Sequence, residues 1–253
     1  MRAPTTSAEW RSHAHYARVP ELDLTPYRRL VVVSAHPDDE SLGAGGLIAT
    51  AFTRGIPVYV VLLTAGEASQ SPSEGYTRHA LATLRLAEME NALARLAPDT
   101  PLVFLGAPDG GVADCESQVT HSLTELLGEA SATLVAAPWR RDGHPDHDAA
   151  GRAAAAAAEA SGATLVEYPV WFWSEGDPST APWEDMVCLT LSSDAHDAKA
   201  AAIRCHASQL GPRSGRPDAR PTLPGRVLAH FSGAHEHFVA TRVEIPDPLA
   251  ATG

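Results

Sequence analysis

The run Leu30-Val31-Val32-Val33-Ser34-Ala35 ends abruptly in His36-Pro37-Asp38-Asp39-Glu40, a histidine and three carboxylates in four of five positions. More than 100 residues later a second apolar run, 133–137, gives way to Gly143-His144-Pro145-Asp146-His147. Further apolar runs at 58–63, 102–105 and 164–170 alternate with helical patterns at 42–54, 77–96, 117–128 and 148–160. Strands that are apolar along their whole length are buried on both faces. Strand and helix in alternation predict an α/β chain with a Rossmann-like, doubly wound, mostly parallel sheet. A strand at 186–191, a helix capped by Ser193 or Asp194 that runs to about His206, and a final edge strand at 238–245 make up a C-terminal extension.

In an open sheet of this kind, ligands bind beyond the carboxyl ends of the strands. His36 follows the first strand, residues 64–67 the second, Asp109 the third and His144 to His147 the fourth, so every polar cluster falls on the same edge. Imidazole nitrogen and carboxylate oxygen are the ligands of a catalytic zinc ion, which keeps one position open for water.

At 253 residues the chain suffices for one large domain. Residues 1–29 read as an N-terminal arm and 30–253 as a single catalytic domain. Within it, residues 211–226, rich in Pro and Arg, read as a lid loop whose Arg213, Arg216, Arg220 and Arg226 could hold a substrate anion. The formal charge of -12 argues against nucleic acid or an anionic membrane as the main partner. Cys115, Cys188 and Cys205 lack metal-type spacing and are an odd number, which suits a reducing cytoplasm. The first residues carry no signal-peptide pattern, and no stretch has the roughly 20 apolar residues of a membrane span. The expectation is a cytoplasmic enzyme; a homo-oligomer is left open.

The two His-Pro-Asp motifs together resemble the PIG-L/LmbE-like family of zinc-dependent N-deacetylases. Arg85-Leu86-Ala87-Glu88 looks like that family's Arg-x-x-Glu helix, and Leu105-Gly106-Ala107-Pro108-Asp109-Gly110 its Leu-Gly-x-x-Asp-Gly loop. Lys199 through His206-Ala207-Ser208-Gln209 is similar to its Lys-(x)n-His-x-Ser-Gln helix end. The resemblance implies that His36, Asp39 and His147 hold Zn2+, or another divalent ion such as Fe2+ or Co2+. It implies that Asp38 is the general base, that His144 supports the oxyanion or acts as an acid, and that Asp146 orients the His144 ring. The implied reaction removes an N-acyl group, N-acetyl first, from an amino sugar or a sugar-containing small molecule. An amidase for a larger acyl or thiol conjugate is the alternative within the same chemistry. Asp142 stands where some thiol-pathway members carry tyrosine, which weakens that particular reading.

Each residue also has a plainer reading. Glu40 suits a helix start, where a carboxylate complements the dipole. Asp142, Asp146 and Asp148 could be solvated charges, and of these only Asp146 is assigned a site role. Arg85 and Glu88, three apart on a helix, make a surface ion pair on the plain reading, while the resemblance has Arg85 reach toward the pocket. Asp109 either contacts a substrate hydroxyl or only makes a turn with Gly110, and His206 either faces substrate or closes a helix in the core. Trp171-Phe172-Trp173 is core or a wall for a sugar ring, and His235 and His237 read as decoration of an edge strand. Two other classes compete. A dinucleotide-binding oxidoreductase lacks its Gly-x-Gly-x-x-Gly after strand one, and a non-catalytic sugar-binding module has no use for Asp38.

Overall fold

A computed structural model describes residues 3–69, 77–211 and 221–240. Seven strands, β1 (Arg29–Ser34), β2 (Val58–Leu62), β3 (Leu102–Phe104), β4 (Thr133–Pro138), β5 (Thr164–Tyr168), β6 (Met186–Thr190) and β7 (His235–Ala240), form one sheet in the order β3-β2-β1-β4-β5-β7-β6. The first five are parallel, and β7 is antiparallel to both β5 and β6. This is the expected α/β architecture: a mixed, mostly parallel sheet covered by helices.

Residue alternation along the strands feeds two cores. Leu30 and Val32 of β1, with Leu134 and Ala136 of β4, pack on one side. Val31 and Val33, with Val135 and Ala137, pack on the other. The first face is covered by α3 (Gly45–Thr53), α4 (Arg78–Leu96) and α8 (Ser193–Cys205), the second by α5 (Glu116–Leu127) and α6 (Pro145–Ser161). The buried face of α6 is built from Ala149, Ala150, Ala153, Ala154, Ala157 and Ala158, small enough for the helix to lie close on the sheet. None of the helices among the described residues is long and apolar enough to cross a membrane.

Several boundaries differ from the sequence reading. The helix expected over 42–54 is two helices, α2 (Asp39–Gly43) and α3, broken at Ala44 with φ -134°. α6 begins at Pro145 rather than Asp148, because proline is pre-set for the first helical position and His144 serves as the N-cap. α8 is capped by Ser192, one residue before the expected cap. The last strand starts at His235 and is inserted between β5 and β6, not added at an edge; residues 241–245 of the expected strand lie outside the described residues. Inside the sheet, Glu236 turns inward. Its carboxylate accepts from Gly46 N (2.6 Å) and Leu47 N (2.7 Å) at the start of α3 and pairs with buried Lys199 at 2.6 Å. The N-terminal arm is not only a surface cover: its helix α1 (Ser7–Ser12) buries Trp10, whose indole N–H donates to the Trp173 carbonyl at 2.6 Å.

The chain leaves β1 toward β2 and β3 but leaves β4 toward β5, so β1 and β4 are neighbours across the switch point of the sheet. That seam is where an open sheet presents its crevice.

Candidate active site

Each side of the seam delivers one metal-type histidine. After β1 the chain turns through His36 and Pro37 into α2, and Asp38 adopts φ 133°, ψ -28°, a conformation costly for any residue with a side chain. The turn is held from several sides. Glu40 accepts from Asp38 N at 3.1 Å, His36 N donates to Asp39 Oδ2 at 2.8 Å, and Gln209 Nε2 donates to the Pro37 carbonyl. After β4 the loop reaches His144, whose Nδ1 accepts from Asp146 N at 3.2 Å, and His147 lies in the first turn of α6.

Across the seam His36 Nδ1 and His147 Nε2 are 3.2 Å apart, His147 Nε2 and Asp39 Oδ1 3.3 Å, and His36 Nδ1 and Asp39 Oδ2 3.6 Å. Ligand atoms about 2.0–2.1 Å from a tetrahedral zinc ion are mutually about 3.3–3.4 Å apart. The two histidines have that spacing, and one oxygen of the Asp39 carboxylate faces each of them, which makes the three a candidate ligand set. Two other trios, His36–His144–His147 and His36–Asp109–Asp146, also bring ligand atoms within 4.8 Å of one another. Asp39 suits a cation better than His144, being anionic, whereas His144 Nδ1 already accepts from Asp146 N, and both remaining histidines have their far nitrogens engaged by carboxylates. His36 Nε2 faces Asp146 Oδ2 at 3.1 Å and Asp109 Oδ1 at 3.2 Å, and His147 Nδ1 faces Asp142 Oδ2 at 2.8 Å. An outer carboxylate on the far nitrogen is the usual support of a metal-ligating imidazole.

The charges are strongly perturbed. Burial, then the neighbouring Asp39 charge, pushes the Asp38 carboxyl up to about 7. Burial alone would raise Asp39 as well, but His147 and His36 hold it well below the carboxylate range. Burial works against protonation of His147, yet Asp39 and Asp142 outweigh it and raise the ring to about 10. His144 moves the other way: burial, then the charges of His147 and His36, keeps its pKa below the ordinary value. In the absence of a cation the ligand set is thus loaded with protons that a divalent ion would replace.

These groups open into a cleft of about 220 Å³, lined on its reactive side by His36, Asp38, Asp39, His144 and His147. Trp171, Val170, Leu42 and Leu223 supply apolar wall, and Arg85, Asp109 and Gln209 polar wall. A recess beside Lys199, Glu236 and His237 has only about 20 Å³, room for roughly one water.

The expected site residues divide into those that meet in the cleft and those that do not. His36, Asp38, Asp39, His144, His147, Arg85 and Asp109 all line it. Asp146 is at hand, but its carboxylate is against His36 and the backbone N–H groups of Gly110 (2.8 Å) and Val112 (3.1 Å), not against the His144 ring. Only its backbone meets His144, because N-capping of α6 directs the His144 Nδ1 lone pair there. Asp109, expected at a substrate hydroxyl, is occupied on both oxygens, by His36 and by Ala68 N at 2.6 Å. His206 does not reach the cleft. It is buried behind the α2 turn, with Nε2 3.1 Å from both Glu40 Oε1 and Ser41 Oγ. Glu88 is not a surface charge; it accepts from Ser208 N and Oγ, each at 2.7 Å. The aromatic triplet splits: Trp171 lines the cleft, while Phe172 and Trp173 pack against Trp10. The expected lid falls largely on residues 212–220, outside the described residues; beyond them Thr222 and Leu223 line the cleft. Asp142, read as a solvated charge, is fully enclosed beneath His147. Its signal in the sequence was its position five residues before His147, in the loop that must turn that histidine inward.

Residues 31–158 match the PIG-L family, described as GlcNAc-PI de-N-acetylase. The chain belongs to the PIG-L family. It is 33% identical to a 1D-myo-inositol 2-acetamido-2-deoxy-alpha-D-glucopyranoside deacetylase of Mycobacterium sp. (strain JLS), over 89% of this chain and 87% of that one. Among solved structures it resembles the N,N'-diacetylchitobiose deacetylase of Pyrococcus horikoshii, with TM-score 0.59, 23% identity and coverage of 73% of this chain and 71% of that one. A 4-carboxy-2-hydroxymuconate hydratase from Pseudomonas putida shares the fold at TM-score 0.56 and 23% identity, covering 72% of this chain and 80% of that one. The sheet therefore does not by itself specify deacetylation; the side chains of the site decide the chemistry.

Proposed function

We propose that this PIG-L enzyme hydrolyses the N-acetyl group of an amino sugar in the seam cleft, using one divalent ion, zinc before iron or cobalt, held by His36, Asp39 and His147. The observation that carries the reading is the cluster of His36, Asp39 and His147 with the buried Asp38 carboxyl beside it in the same cleft. Such an ion supplies Lewis acidity and lowers the pKa of a water toward roughly 7.

Asp38, buried in the cleft with no place in the ligand set, takes the proton from the water that adds to the amide carbon. Asp39 cannot share that task, since in this reading its carboxylate is a ligand of the ion. His144, kept neutral and with Nδ1 occupied by the backbone of Asp146, can donate from Nε2 to the amide oxygen as negative charge develops there. The C–N bond then breaks, the amine leaves with the proton that Asp38 held, and acetate remains.

A cleft of this volume suits one acylated sugar unit, with Trp171 offering a ring face. Two of the similar proteins are deacetylases whose names specify acetylated glucosamine units, which supports the same substrate class here. The test measures amine and acetate release from N-acetylglucosamine, amine release from a glucosamine acylated with a longer chain, and hydration of an unsaturated carboxylic acid at its double bond. Metal-dependent release from the first supports the reading. Activity only on the acid, or release unaffected by complete metal removal, would overturn it.

A further inference from the structure

Asp142 receives four hydrogen bonds from four different residues. It has no exposed side-chain surface. Oδ2 takes the His147 ring nitrogen Nδ1 at 2.8 Å and the Trp171 N–H at 3.0 Å. Oδ1 takes the Val170 N–H at 2.7 Å and the Phe172 N–H at 3.0 Å. Its own N–H donates to the Trp139 carbonyl at 3.0 Å, which fixes the loop that presents it.

Those partners belong to two different parts of the cleft. His147 is on α6 at the reacting centre. Val170 and Trp171 leave the end of β5 and form the apolar wall, and Phe172 starts α7 (Phe172–Glu175). The Val170–Phe172 backbone has left the sheet, so these three N–H groups depend on Asp142 in place of a strand partner. One carboxylate therefore sets both the ring orientation of His147 and the path of the chain that carries Trp171.

We propose that Asp142 is a positioning residue that locks the His147 tautomer to the position of the Trp171 wall, so that metal retention and substrate fit depend on the same side chain. The proposal rests on His147 being a metal ligand. With Nδ1–H given to Asp142, only Nε2 is left with a lone pair, and Nε2 is the atom that faces His36 and Asp39. Asparagine cannot serve. Either its amide NH2 points at His147 and Trp171, or it points at Val170 and Phe172, and in both cases donors face donors.

The test compares Asp142→Asn, Trp171→Ala, the double variant and His147→Ala in the full chain. Zinc affinity is read by competition with a chromogenic chelator, and KM and kcat on N-acetylglucosamine. Asp142→Asn should lose about 10–100-fold in zinc affinity, the usual scale for outer partners of a ligating histidine. With zinc saturating, it should also raise KM. Trp171→Ala should raise KM in the wild-type background but add little to it in the Asp142→Asn background. Zinc affinity within threefold of wild type, or KM effects that simply multiply, would overturn the proposal. If His147→Ala keeps its zinc, the ligand assignment has failed; if it loses zinc while Asp142→Asn does not, only the positioning role has failed. Should Asp142→Asn not fold, ¹⁵N-histidine NMR of the zinc-loaded wild type decides. His147 must retain its Nδ1 proton, and zinc on Nδ1 would overturn the proposal.

Discussion

His36 and His147 meet at 3.2 Å across the one seam of the sheet where the chain turns both ways. They are separated by 111 positions in sequence, and each stands within five residues of the end of its own strand or on the first turn of the next helix. Two independent βα turns thus each supply part of the proposed metal site, and parallel pairing of β1 with β4 aligns them.

The first consequence concerns metal uptake. In the metal-free protein His147 holds a proton up to about pH 10, because Asp39 and Asp142 outweigh the cost of its burial. Binding an ion through Nε2 must release that proton, so affinity weakens as pH falls. The His36 ring, whose pKa is also raised, against the effect of burial, by Asp109, Asp146 and Asp39, adds to the effect, so apparent zinc affinity should rise at least about tenfold per unit between about pH 6 and 8. Titration calorimetry in buffers of different ionisation enthalpy should register release of at least one proton per ion. A flat affinity over that range would remove His147 from the ligand set.

Asp38 carries the second. Its carboxyl is pushed up to about 7 by burial and by Asp39, while its backbone is held at a positive φ by Glu40 and neighbouring groups. Asp38→Asn removes the base but not a ligand. Turnover should fall roughly 10²–10⁴-fold, with zinc content by elemental analysis unchanged. A zinc-replete variant with near-normal turnover would mean that another group takes the proton.

Much of the site was readable because its chemistry is local to strand ends. His36, Asp38, Asp39, His144 and His147 are at the turns where hydrophobic runs break, and the edge on which they meet follows from strand–helix alternation. The outer carboxylates were harder. Asp142 and Asp146 are four residues apart in similar surroundings, and only tertiary packing sends one to His147 and the other across the seam to His36. His206 and Glu88 look like site residues in a motif yet brace the α2 turn and the α9 helix (Ala207–Leu210) from behind. The placement of β7 was not legible at all. Insertion of a strand between β5 and β6 is a long-range pairing with no local signature beyond the apolar run itself.

Gly151 offers a test of how α6 is seated. A Cβ there would lie 2.5 Å from the Pro138 carbonyl oxygen and 2.6 Å from Arg140 N, both backbone atoms that cannot swing aside. Alanine gains up to about 1 kcal/mol in helix propensity over glycine, but overpacking of this kind costs about 1–3 kcal/mol. The clash should win. Gly151→Ala should lower the melting temperature and, because His147 is one turn earlier on the same helix, weaken zinc binding. A variant more stable than wild type with undiminished zinc affinity would show that the helix has room to move.

His237 makes stability depend on pH away from the cleft. It is 7% exposed on β7, its ring 4.3 Å from that of Tyr16. Burial, with Lys199 and His235 nearby, lowers its pKa to about 4 against a partial counter-effect from Tyr16 and Glu21. In the unfolded chain the ring takes up a proton near pH 6.5, whereas in the folded protein it resists until about pH 4. Over that interval the unfolded state binds more protons, so the contribution of His237 to stability is intact above about pH 6.5 and lost progressively as pH falls toward 4. The full loss is about 3 kcal/mol. His237→Gln cannot titrate. It should be less stable than wild type or equal to it at pH 7.5, and should lose less on moving to pH 5. Urea unfolding of the zinc-loaded proteins at the two pH values measures the difference directly. Since the metal-site histidines are common to both proteins, their own titration cancels in the comparison. Equal acid sensitivity of the two would mean that His237 is solvated enough to protonate in the folded state.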